Sequence, residues 1–119
     1  MRISSIDIGS NAIRQVIVET DREDLATNQW ITLKKYRAPL RLGSDVFEYG
    51  RIQPETINQL IVVFKKIAKF NKKYKVQTSI AVATSAMRDA KNNTAVINRI
   101  KKETGIKITV ITGALEAKY

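Results

Sequence analysis

Neither cysteine nor histidine occurs among the 119 residues. The first absence removes disulfides and thiolate metal sites; the second removes Ser-His-Asp and Cys-His chemistry and imidazole-ligated metals. Any catalysis must come from carboxylates, hydroxyls, cations or backbone amides. Aromatic residues are sparse at 7%, and acidic residues are outnumbered, 11 Asp+Glu against 21 Lys+Arg, for a formal charge of +10. Long apolar runs are lacking too: the longest, residues 60–64, falls far short of the ~20 needed to span a bilayer. The N-terminal segment is broken by Ser4, Ser5 and Asp7 and carries no secretory pattern, so a cytoplasmic protein with no membrane partner is expected.

What is present has the balance of a folded domain: 44% hydrophobic, 27% charged, and a length suited to one domain. A surplus of cations concentrates polyanions of any kind. The densest cluster is Lys65, Lys66, Lys69, Lys72, Lys73 and Lys75. It reads either as the solvated end of a helix, with cations near the negative dipole end, or as a patch that draws in a long polyanion. No aromatic ladder interleaves with it, which weighs against nucleic acid bound by base stacking.

Along the chain, residues 3–8 read as a strand, residues 9–11 as a Gly-Ser-Asn turn, and residues 12–19 as the returning strand of a hairpin. Residues 21–28 are polar and turn-like, residues 29–36 make a third strand antiparallel to the second, and residues 37–53 read as irregular loop. Pro54 opens a helix whose apolar stripe is Ile57, Leu60, Ile61, Phe64, Ile67 and Ala68. A strand follows at 77–83, a short helix capped by Thr84 or Ser85 to Ala90, a helix at 94–104 stopped by Gly105, and a strand at 106–111. The last two strands, joined through a helix, should be parallel neighbours in a helix-covered sheet. Thr112 and Gly113 read as a turn, and Ala114 starts a helix that Tyr119 cuts short. The chain is therefore expected to be the first domain of something longer.

Three strand-end motifs could carry chemistry. In IDIGSN at residues 6–11, Gly9 lets the backbone approach a phosphate, Ser10 adds a hydroxyl, and Asp7 can orient water or help hold Mg²⁺. An ordinary hairpin turn explains the same residues, but a carboxylate inside an apolar strand needs a partner or a role. In AVATSAMRDAKN at residues 81–92, the amides of residues 84–86 open a helix and Arg88, on its first turn, can fork two phosphate oxygens. The alternative is Arg88 paired with Asp89 or Glu103. In ITGALEA at residues 111–117, Glu116 is either a helix-capping acid or a general base held at a strand end. Together, a carboxylate, a phosphate cradle and an arginine on one sheet edge fit phosphoryl transfer to water.

These blocks, with RLG at 41–43 and the Tyr49-Gly50 turn between them, resemble the N-terminal domain of the exopolyphosphatase and guanosine-pentaphosphate phosphohydrolase family. The resemblance runs over nearly the whole chain. It implies an α/β lobe of the RNase H-like fold shared by actin, Hsp70 and sugar kinases, with a mixed five-stranded sheet flanked by helices. It implies a Mg²⁺-dependent enzyme, a homodimer as the full-length protein, that releases terminal phosphate from inorganic polyphosphate or guanosine pentaphosphate. By position, Glu116 corresponds to the water-activating base, Gly9, Ser10 and Asn11 to the first phosphate loop, Asp7 to its acidic residue on the metal side, and Arg88 to the phosphate-contacting arginine. Arg41 lines the same channel in this reading.

Two departures stand out. Leu115 replaces a second glutamate common in relatives, and the family's second phosphate loop would lie beyond residue 119. This chain alone is accordingly expected to be inactive, one lobe of a two-lobed phosphatase. Leu115 also motivates an alternative, a polyphosphate- or nucleotide-binding sensor without catalysis. A basic nucleic-acid-binding module is a weaker third reading, since it leaves Asp7, Ser10, Arg88 and Glu116 unexplained.

Overall fold

The computed structural model describes residues 1–20 and 30–111. Its elements run β1 (Arg2–Ile8), β2 (Ala12–Glu19), β3 (Ile31–Pro39), α1 (Leu42–Tyr49), α2 (Pro54–Lys73), β4 (Thr78–Ala83), α3 (Ser85–Asp89), α4 (Asn93–Thr104) and β5 (Ile108–Val110). The five strands form one sheet in the order β3-β2-β1-β4-β5. The first three strands meander antiparallel, whereas β4 runs parallel to β1 and β5 parallel to β4. This is the mixed five-stranded α/β sheet expected above.

Both crossovers, β3 to β4 and β4 to β5, step the same way across the sheet. Right-handed connections therefore put α2 and α4 on one face. On that face Ile6, Ile8, Ile13, Ala81, Ala83 and Ile108 pack with Leu60, Phe64 and Ile67 of α2 and with Val96 and Ile100 of α4. Strand alternation sends Ser5 and Asp7 of β1 and Arg14 of β2 to the opposite face, where they are exposed. One buried polar contact interrupts the core: the Gln15 amide donates to Ser4 Oγ at 3.0 Å and to Asn71 Oδ1 at 2.9 Å, tying β1, β2 and α2 together.

Residues 42–49 overturn the expectation of an irregular loop at 37–53: they form helix α1, and β3 extends to Pro39. Glycines suggested a loop, but each has a helical use. Gly50 takes the left-handed conformation (φ 72°) and closes α1, donating its amide to Val46 O at 2.9 Å. Gly43 sits in the first turn because another segment approaches it. Beyond α1 the chain is pinned by side chains, with Asn92 exchanging two hydrogen bonds with the Ile52 backbone (3.0 and 2.9 Å) and Asp45 accepting the Gln53 amide at 2.9 Å.

The helix expected from Pro54 is there, with Pro54 in the first turn and Lys72 and Lys73 in the last. Gly105, at φ 77°, stops α4 as expected, and Val96 and Ile100 are its buried residues. The polar segment 21–28, the Thr112-Gly113 turn and the helix starting at Ala114 lie outside the described residues.

Candidate active site

The hairpin turn between β1 and β2 is held on all sides by backbone bonds. Gly9 donates to Ala12 O at 3.0 Å, Gly43 donates to Ser10 O at 2.9 Å, and Leu40 donates to Asn11 O at 3.1 Å. The Gly9 amide therefore closes the hairpin. With the Ser10 carbonyl directed at α1, the planar trans peptide turns the Asn11 amide away from α1. The α1 helix comes this close because Gly43 lacks a side chain: a Cβ there would stand 3.1 Å from Ser10 Cβ.

The second motif meets the first at this loop. Parallel pairing of β1 with β4 ends at Ile8 and Ala83, and the Thr84 amide reaches Ile8 O at 3.3 Å. Helix α3 then begins at Ser85, whose hydroxyl lies 3.4 Å from that of Ser10. Segments about 75 residues apart in sequence thus share one edge at the C-terminal ends of β1 and β4.

Arg88 is the fourth residue of the five-residue α3, within the single turn that also makes up its end. Its guanidinium pairs with Asp89 at 3.5 Å and donates to Ile111 O at 3.4 Å, while Glu103 pairs with Arg99 instead. The contact with Ile111 ties Arg88 to the end of β5, since the Ile111 amide donates to Ala83 O at 3.0 Å. Glu116 lies five residues further on, outside the described residues.

Asp7 occupies the penultimate position of β1, beside the loop, between Arg14 of β2 and Val82 of β4. It is exposed, so water solvates its charge and no buried partner is required. Among the described residues no cluster of three or more acidic side chains could hold a metal. A single exposed carboxylate beside the hairpin turn is compatible with Mg²⁺, which keeps its waters and takes one or two carboxylates plus substrate phosphates.

Arg41 immediately precedes α1, two residues from Gly43 and its contact with Ser10. Its side chain lines a cavity of about 370 Å³ with Pro39, Leu40, Ser44, Asp45, Thr56 and Gln59, facing α2. The structure thus gathers Asp7, Gly9, Ser10, Asn11 and Arg88 at one sheet edge and leaves Arg41 at its border. Ser85 and Gly43, both in direct contact with Ser10, were hidden at the sequence level as a helix cap and a loop glycine.

Residues 16–119 match the sequence profile of the Ppx/GppA phosphatase family. The chain belongs to that family. It is 30% identical to exopolyphosphatase 1 of Mycobacterium tuberculosis over 99% of this chain and 33% of the relative. It is 37% identical to the bifunctional 3-dehydroquinate synthase/phosphatase of Fusobacterium nucleatum over 96% of this chain and 18% of that protein. The crystal structure of the Aquifex aeolicus Ppx/GppA family member superposes with a TM-score of 0.90 at 35% identity, covering 100% of this chain and 37% of the other. The chain thus spans about a third of the length of the exopolyphosphatase relatives it matches. The hairpin turn at residues 9–11 lies before the matched profile but inside the aligned length of those relatives. The Ppx/GppA assignment also bears out the RNase H-like reading of the sheet.

Proposed function

We propose that the protein carrying this chain hydrolyses phosphoanhydride bonds, releasing terminal phosphate from inorganic polyphosphate or the γ-phosphate of guanosine pentaphosphate. The observation that carries this reading is the 3.4 Å approach of Ser10 and Ser85, which puts the phosphate-loop hairpin, α3 and Arg88 on one strand edge. Membership of the Ppx/GppA family supports it independently.

In the proposed reaction the Ser10 hydroxyl and the Asn11 amide hold oxygens of the terminal phosphate. Arg88 adds a planar positive charge where negative charge accumulates during transfer. Glu116 takes a proton from water as the water oxygen bonds to the terminal phosphorus. The bridging P–O bond breaks, and its electron pair leaves with the shortened chain. Asp7 is the residue that would help hold Mg²⁺, which when bound neutralises phosphate charge.

The test is phosphate release by the protein with Mg²⁺ and, separately, long-chain polyphosphate and guanosine pentaphosphate. Glu116→Gln is expected to lower release by about a hundred-fold or more while binding persists. Tight polyphosphate binding with no release by the parent protein would replace the hydrolase with a sensor.

A further inference from the structure

The lysine cluster at the end of α2 lies away from the candidate active site. Arg2, at the start of β1, donates to Tyr74 O just past α2 at 2.8 Å, whereas the phosphate loop follows the other end of β1. Six residue steps along that strand separate the two by about 20 Å.

At that far end Lys65, Lys66, Lys69, Lys72 and Lys73 share two adjoining rows of α2, which rise about 12 Å over these positions. Lys34 of β3 joins them across an aromatic pair. Tyr36 and Phe70 meet edge to face with centroids 5.4 Å apart; Lys34 Nζ sits 4.7 Å from the Phe70 centroid and Lys66 Nζ 5.0 Å from that of Tyr36. A groove of about 460 Å³ runs between Lys65, Lys66, Lys69, Phe70 and Lys73. Among the described residues none of these lysines has a carboxylate within ion-pair distance; the ion pairs there join Arg2 to Glu19, Arg88 to Asp89 and Arg99 to Glu103.

Six cations without carboxylate partners repel one another mildly, and a polyanion beside them relieves that repulsion. Its two rings are engaged by ammonium groups and by each other, so a base that stacked here would compete with those contacts. A flexible, base-free chain of closely spaced negative charges fits the strip better than a single-stranded nucleic acid does.

We infer that the strip from Lys34 to Lys73 is a second binding site for inorganic polyphosphate, holding the chain at a distance from the terminal phosphate that is hydrolysed. The inference rests on the phosphoanhydride reading above and extends it: it makes long chains better substrates than short ones. The bound length beyond the active site adds affinity by tethering, without touching the reacting atoms.

The test compares the protein with its Lys66→Gln/Lys69→Gln/Lys73→Gln variant, changes confined to exposed side chains. Long-chain polyphosphate binding should weaken about ten-fold in moderate salt, and the slope of log affinity against log salt should become shallower by about 2. The ratio of kcat/KM for long-chain polyphosphate over that for tripolyphosphate should fall by about the same factor. An unchanged ratio together with unchanged long-chain binding would overturn the site and leave the hydrolase reading standing. Loss of long-chain binding in the variant, with no phosphate release by the parent, would keep the site and remove the hydrolase. A single-stranded oligonucleotide of equal charge that binds the parent as tightly as polyphosphate would reassign the strip to nucleic acid.

Discussion

Ser10 is the residue on which the candidate active site turns, because three segments touch it: its own hairpin, α1 through Gly43, and α3 through Ser85. A polar turn residue that served only its own backbone would not be held this way. Gly43 is the test of that point. Replacing it with Ala removes backbone entropy from the unfolded chain, a gain of about 0.5–1 kcal/mol in a helix. The new Cβ, however, stands 3.1 Å from Ser10 Cβ, so Ser10 must give way by a few tenths of an ångström. Gly43→Ala is therefore expected to leave the thermal midpoint nearly unmoved while kcat/KM for phosphate release falls about ten-fold. Unaltered kinetics in a folded Gly43→Ala protein would show that the α1 contact does not position the loop. Asp7 teaches the opposite lesson at the same scale. Its neighbours in sequence are isoleucines, which made burial look costly, yet strand alternation delivers it to solvent.

At the scale of elements, the long amphipathic helix α2 and the strands were legible because their periodicities are strong and their stops are chemical: Pro54 at one helix start, Gly105 at another helix end. Helix α1 was not, because eight residues bearing Gly43 and followed by Gly50 look like punctuation until the neighbours are known. Its inward anchor is a single fully buried residue, Leu42, too little for a periodic signal. The glycine stops can be compared directly. At Gly105 an added Cβ would meet nothing within 4 Å, so the only cost of a side chain is the left-handed backbone at φ 77°. Gly105→Ala should destabilise the protein by about 1–2 kcal/mol in urea unfolding, and Gly105→Asn by clearly less, since Asn tolerates that conformation. Equal losses for the two variants would mean that backbone strain is not what Gly105 relieves.

At the scale of the molecule, the sheet has two unlike faces: α2 and α4 cover one, and Asp7 and Arg14 lie exposed on the other. The hairpin turn at residues 9–11 and the lysine strip sit at opposite ends of β1, so in the proposals above one sheet spaces the two candidate sites apart. The described residues bring Asp7, opposite Arg14, and Arg88, paired with Asp89, to the candidate active-site edge. The chain covers about a third of its exopolyphosphatase relatives. Phosphate release by the isolated 119-residue chain is accordingly expected to be about a hundred-fold or more below that of the whole protein, as when charge-stabilising donors are removed from an active site. Comparable turnover by the two preparations would place the entire reaction within this chain.

The sequence by itself determined the strand and helix periodicities, the absence of thiol and imidazole chemistry, the excess of cations, and the motif blocks that marked the family. These are local or summed properties, written in neighbouring residues and in counts. Only the tertiary structure decided that Ser85 and Gly43 flank Ser10, that Arg88 reaches Ile111 rather than Glu103, that residues 42–49 coil, and that Lys34 joins the α2 lysines across Tyr36 and Phe70. Each of those depends on residues far apart in the chain meeting through sheet order and register, and no local pattern encodes which partners the register will bring together.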